Sequence, residues 1–531
     1  MKATRGARSG AVCRGLVCVF ALMVAGCLPG RRGSGPARFE IVDATITDIH
    51  RAMLAGRLTA RRLVDAYASR MQAYNRSGPQ LNALLAVNPI ALEAADSLDA
   101  ELRRTGELAG PLHGIPVIID DMYSTVELPA TAGSAALAGV LESADAHHVR
   151  RLREAGAIIL AKANVAELGL SPYETVGSAL PGHTRNPYAP ARVPGGGSGG
   201  TAAAVAASFA TVGLGSDAFG SLRGAAAHTS LVAIRATMGL SSRSGIVPVS
   251  RDADMGGPIA RTVADAVIVF DVIVGADPAD SITALAGGRR DERYRDYLVT
   301  DALDGARIGV VHRFSDTETA DAEVVARFNE AVAVLRRAGA TTVEPVDVPA
   351  LDSIGPIECP SFLQDLVEHL GGAAASDAIG RLRGAVAEGR VHPSVRPLLT
   401  ARLAVEAEQR QTRCEEAERR AERLREAVRE ALWRNRLDAL VYPTWSNPPR
   451  MIGDLNSPAG RNAQRIADAT GFPAITVPMG YVGTERLPVG LEFLGDAWSD
   501  WKLIALAYSY EQATRHRRPP PWTPRLEPGG G

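Results

Sequence analysis

Apolar positions recur at three- and four-residue spacing over residues 44–76, the periodicity of helices that bury one face. Thr47 is placed to cap the first helix, and Gly56-Arg57-Leu58-Thr59 reads as a turn that restarts a second. Residues 89–104 repeat the amphipathic pattern. From there short β-branched runs alternate with helical stretches. Residues 117–119 predict a strand, 145–155 a helix and 157–160 a strand. Residues 198–209 predict an Ala-rich helix opened by glycines, and 211–214 a strand. Further strands are expected at 307–311, 439–442, 474–477 and 489–494. Residues 403–435 read as one long charged helix of about 50 Å with a single apolar stripe. Strands separated by helices predict an α/β fold around a largely buried, mixed sheet. Residues 516–531, rich in Pro, Arg and Gly, are expected to fray.

Composition narrows this picture. The 531 residues are 46% hydrophobic and 22% charged, which excludes disorder over most of the length. Lys plus Arg number 58 against 59 Asp plus Glu, a balance that disfavours a nucleic-acid partner. Five scattered cysteines are too few for a disulfide scaffold or a zinc site. Two of them, Cys359 and Cys414, sit in the body of the chain, and spacing leaves open whether they pair.

The first residues read as an address. Lys2, Arg5, Arg8 and Arg14 form a basic region ahead of an apolar run over residues 15–26, too short to span a bilayer. The run ends in Val24-Ala25-Gly26-Cys27, which resembles the lipobox of bacterial lipoproteins. That resemblance implies cleavage after residue 26 and lipidation of Cys27, with a signal peptide over 1–26 and a flexible tether over 27–40. The expected localisation is therefore the cell envelope, with a lipid anchor to a membrane.

Two glycine-rich segments carry the candidate chemistry: Pro194-Gly-Gly-Gly-Ser-Gly-Gly200 and Gly215-Ser-Asp-Ala-Phe-Gly-Ser-Leu-Arg223. Glycines at this density let backbone amides approach a ligand, and a serine beside free amides suits acyl transfer. They stand in order with Gly110-Pro-Leu-His-Gly-Ile-Pro-Val117, Thr184-Arg-Asn-Pro-Tyr188, Gly257-Pro-Ile-Ala-Arg-Thr-Val263, Asp438-Ala-Leu-Val-Tyr-Pro-Thr444, Gly471-Phe-Pro-Ala-Ile-Thr-Val-Pro478 and Pro488-Val-Gly-Leu-Glu-Phe-Leu-Gly495. Together these segments, across residues 41–515, resemble the amidase signature family. The resemblance implies one large α/β domain that hydrolyses carboxamide C–N bonds with no metal or organic cofactor.

It also implies a Ser nucleophile, a bridging Ser preceded by a cis peptide bond, and a neutral Lys as base. Ser221 occupies the nucleophile position, and Asp217 and Arg223 match the residues that brace its loop. The bridging Ser belongs 24 residues earlier, where this chain has Gly197; Ser198 matches the neighbouring Ser that does not bridge. The Lys position is Asp120, and the oxyanion loop reads Ala218-Phe219-Gly220, with Phe where Gly is usual. If position 219 needs a positive φ, Phe is strained there. An unperturbed carboxylate near pKa ~3.9 is a weak base for a hydroxyl. Losing one member of such a unit already lowers turnover by about 10⁴–10⁶.

Three readings follow from these substitutions. In the first, a pseudo-amidase keeps a pocket for a small-molecule amide or related ligand, with a binding or scaffolding role. In the second, a hydrolase works through Ser221 with an altered base. In the third, the chain is one component of a tRNA-dependent amidotransferase, which the exported address disfavours. Asp120-Asp121 as a joint acid pair is disfavoured because adjacent strand residues point apart. His147-His148 has no third ligand at metal spacing, and solvent-facing or packing roles are expected. His113 and Lys162 read as supports of the fold.

Overall fold

In the computed structural model residues 39–527 are described, apart from 129, 141–143, 171–174, 181, 292, 350, 352–356 and 455. The signal peptide, Cys27 and most of the tether fall outside the described residues.

The chain enters through a helix over Ile46–Leu54. Its cap is Thr45, not Thr47: the Thr45 hydroxyl accepts the Asp48 amide while the Asp48 carboxylate accepts the Thr45 amide. That reciprocal pair needs an acid three residues on, which Thr45 has and Thr47, followed by His50, lacks. Thr59 caps the second helix, Ala60–Tyr74, after the turn at residues 56–59.

Eleven strands among the described residues form one sheet. In chain order they are β1 (Leu84–Val87), β2 (Pro116–Asp120), β3 (Ile158–Ala163), β4 (Val212–Ser216), β5 (Val232–Arg235), β6 (Gly256–Ala260), β7 (Arg307–Val310), β8 (Thr341–Val343), β9 (Ala439–Pro443), β10 (Ala474–Val482) and β11 (Leu487–Leu494). Their spatial order is β1-β3-β2-β4-β6-β5-β10-β11-β9-β7-β8. β2 runs parallel to β3 and β4, and β7 parallel to β8 and β9, while β4–β6, β5–β10 and β10–β11 are antiparallel. The sheet is mixed, as the alternation predicts, and β2, β3, β6, β9 and β11 are buried along their whole length.

β5 and β6 escape a reading by pattern because Arg235, Gly256, Gly257 and Pro258 interrupt their apolar runs. Residues 404–406 separate a short helix, Arg396–Leu403, from the long charged helix, Ala407–Arg434, which begins four residues later than expected. The second is 28 residues, about 42 Å, and buries one stripe of Ala417, Ala421, Leu424, Val428, Ala431 and Leu432.

Residues 516–527 do not fray as expected. Arg517 reaches Asp43 at 2.9 Å and the carbonyls of Ala206 and Ser230, and buried Arg70 holds the carbonyls of Thr523 and Pro524. Guanidinium groups thus dock the tail and satisfy carbonyls that water would otherwise solvate. Cys359 and Cys414 form a disulfide that closes the helical excursion between them.

Candidate functional site

β2 and β4 are parallel neighbours, so their carboxyl ends bring Asp120 and Ser216 to the same end of the sheet. Two short helices begin there. Gly199–Ala206 follows the first glycine-rich turn, and Ser221–His228 follows the second. Glycine is required at the closest approaches: a Cβ at residue 196 would meet the Ser221 carbonyl oxygen at 2.1 Å, and one at residue 220 would meet Ala463 at 2.7 Å.

The hydroxyl of Ser221 donates to the carbonyl of Ser216 at 2.7 Å. Among the described residues no carboxylate, imidazole or amine hydrogen-bonds it. Gly197 faces it: a Cβ at that position would lie 3.3 Å from Ser221 Cβ and 3.5 Å from Oγ. Position 197 therefore sits against the Ser221 side chain and offers it no hydroxyl. The cis bond implied ahead of it is absent; among the described residues the cis peptide is Glu344–Pro345.

Asp120 is buried and engaged elsewhere. Ser198 Oγ donates to its Oδ2 at 2.7 Å and the Met122 amide to its Oδ1 at 2.9 Å. Burial pushes its carboxyl up to about 6, against the pull of those two donors toward the charged form. Ser198 also accepts the Ser216 amide at 3.1 Å and so ties Asp120 to the Ser216 turn. Asp121 points the other way, to Lys162 Nζ at 3.3 Å and the amides of Thr131 and Gly133. Burial lowers the Lys162 ammonium, and Asp121 opposes that shift.

Phe219 adopts φ +56° and Gly220 φ +69°. A positive φ costs a non-glycine residue about 1 kcal/mol or more, so the strain expected of Phe219 is present. The amides of Ala218, Phe219 and Gly220 make no hydrogen bond among the described residues.

Beneath the loop, Arg223 bonds Asp217 at 2.9 Å, Asp468 at 3.1 Å and Glu492. Arg235 adds contacts to Asp217 at 3.1 Å and Asp468 at 3.0 Å. Burial raises the Asp217 carboxyl, but the two guanidinium groups outweigh it and hold the group well below the carboxylate range. Burial leaves Glu492 up at about 7. Asp217 Oδ1 also accepts the Leu222 amide at 2.9 Å, fixing the first turn after Ser221. Sequence reasoning found Asp217 and Arg223 and missed Ser216, Arg235, Asp468 and Glu492. Only Glu492 left a signal, as one acid inside the apolar run 488–495.

His147 and His148 are both buried, which corrects the solvent-facing option. His147 lies 3.2 Å from Asp277, and His148 pairs with Ser241 at 2.7 Å. His113 accepts the Ala109 amide within its own loop. Among the described residues no group of three or more metal-ligating side chains could hold a metal ion.

A cavity of about 360 Å³ adjoins the loop, lined among others by Phe219, Asp252, Leu351, Cys359, Glu418 and Gln464. Ser221 and Gly197 are not among its lining residues.

This mixed sheet, with its serine-bearing glycine turns at the ends of parallel strands, defines an amidase-signature α/β domain. The amidase family model matches residues 62–504, and the chain belongs to that family. It is 32% identical over 504 residues to a probable amidase of Arabidopsis thaliana, covering 91% of this chain and 92% of that one. It is also 32% identical to a glutamyl-tRNA(Gln) amidotransferase subunit of Streptomyces coelicolor, over 89% and 96% of the two chains. Among solved structures, the native peptide amidase of Stenotrophomonas maltophilia superposes with a TM-score of 0.81 at 36% identity, covering 90% and 98%.

Proposed function

We propose that this protein is a pseudo-amidase: it keeps the family's domain and a ligand cavity but does not run the family's serine chemistry. The observation that carries the reading is the Ser221 hydrogen bond to the Ser216 carbonyl at 2.7 Å. A hydroxyl becomes a nucleophile when a base takes its proton, and a backbone carbonyl cannot. Gly197 supplies no relay, and the carboxylate at the Lys position is taken up by Ser198 and Met122. The cavity is suited to a small-molecule amide or a related ligand.

The second reading, a hydrolase with an altered base, draws on Asp120, whose carboxyl at about 6 lies in a range useful for proton transfer. Against it, the Asp120 bond runs to Ser198 rather than to Ser221. A role like that named for the Streptomyces relative is disfavoured by the proposed address, because charged tRNA is cytosolic. That address is a lipoprotein anchored through Cys27 in the cell envelope. The Cys359–Cys414 disulfide supports it, since such bonds persist in oxidising compartments.

The test is covalent labelling of the full chain with a fluorophosphonate probe, read as intact mass beside a Ser221→Ala control. The expected result is no Ser221-dependent label in a protein that melts cooperatively. Labelling that disappears in the control would overturn the pseudo-amidase reading in favour of the altered base.

A further inference from the structure

Phe219 lines the 360 Å³ cavity with Asp252 and Gln464. Two residues along the same loop lies Ser221, which is 5% exposed and does not line that cavity. The next residue, Gly220, is pressed against the wall, with its Cβ direction 2.7 Å from Ala463 Cβ and 3.0 Å from the Gln464 amide. A side chain at position 220 has no room, and of residues 218–221 it is Phe219 that lines the cavity. The ring packs partly buried against the main core while its backbone holds φ +56°. A left-handed aromatic residue persists only where its surroundings over-determine it, and such strain gathers at functional sites.

We infer that the Phe219 side chain is a stopper between the cavity and Ser221, so that a ligand seated in the cavity is kept from the serine. The inference rests on the reading of that cavity as the protein's ligand site. It adds a second barrier to serine chemistry, one of access, separate from the missing base. Its consequence is a size rule: reagents too large to slip past the ring do not reach position 221, whatever their intrinsic reactivity.

Access is measured with a thiol in place of the serine, because alkylation of a thiol needs no base from the protein. In the full chain carrying Ser221→Cys, alkylation by iodoacetamide and by a bulky fluorescein maleimide is followed on the peptide containing residue 221. Reading that peptide alone separates it from Cys27 and the other cysteines. Adding Phe219→Gly is expected to speed the bulky reagent at least tenfold and the small one far less. Phe219→Leu, which keeps bulk at the site, falls between and guards against a glycine variant that fails to fold. Equal rates with and without Phe219, or an equal acceleration of both reagents, would overturn the stopper; the second pattern marks a loosened loop.

Native Ser221 in the Phe219→Gly chain then separates the two proposals. If the fluorophosphonate still leaves it unlabelled, access was opened and the base is missing. If it labels, the stopper stands and the pseudo-amidase reading fails.

Discussion

Asp120 holds its proton to higher pH in the folded chain, about 6, than an ordinary carboxyl near 3.8. Its protonated form therefore favours folding at low pH, and that contribution fades as pH rises from about 4 to about 6. Asp120→Asn removes the titration and keeps an amide whose oxygen accepts from Met122 and whose NH₂ can donate to Ser198. The stability of Asp120→Asn relative to the parent is expected to grow by about 2–3 kcal/mol between pH 4 and pH 7, from urea melts at each pH. A flat difference across that range would show that the carboxyl is not desolvated as described. At this scale the sequence was informative where a side chain falls in a motif, and not at Arg235 or Asp468, whose partners only the fold brings within reach. Asp120, Gly197 and Phe219 are legible by residue type, and the pseudo-amidase proposal starts from them. Ser216 announced nothing, because what it contributes is a backbone carbonyl, which every residue has.

At the scale of elements, one guanidinium ties the helix Ser221–His228 to three acids. Arg223 reaches back to Asp217 and out to Asp468 and Glu492, so it joins the 217–221 loop to the segment before β10 and to β11. Arg223→Met would leave three buried carboxyls short of their counter-charge, with Arg235 left facing Asp217 and Asp468. Breaking a buried network from one side typically costs about 3–5 kcal/mol, and a loss of that size in a denaturant titration is expected. A loss under about 1 kcal/mol would mean the acids take up protons and release the network. Element boundaries were legible where local chemistry sets them, as at Thr59. The start of the long helix at Ala407 was not, because no Gly or Pro marks residues 404–406.

For the whole molecule, the Cys359–Cys414 bond, 55 residues apart in sequence, encloses the helices Phe362–Leu370, Gly372–Ala387 and Arg396–Leu403. Replacing both cysteines by serine frees that excursion in the unfolded chain and is expected to lower stability by about 2–4 kcal/mol. The comparison is between denaturation midpoints of the double variant and the parent, under oxidising conditions. An unchanged midpoint would mean the excursion is held by its packing alone.

The sequence by itself determined the family and the α/β class, and it marked the residues on which the pseudo-amidase proposal rests. These depend on residue identity at fixed local spacing, and spacing survives in one dimension. Only the tertiary structure decided what those residues contact. Ser221 turns to a carbonyl, Asp120 binds Ser198, two cysteines 55 residues apart meet, and the tail docks under Arg70 and Arg517. Each of those outcomes sets one donor or bond partner among several that sequence leaves equally open, and the choice is made by which groups the folded sheet brings within reach.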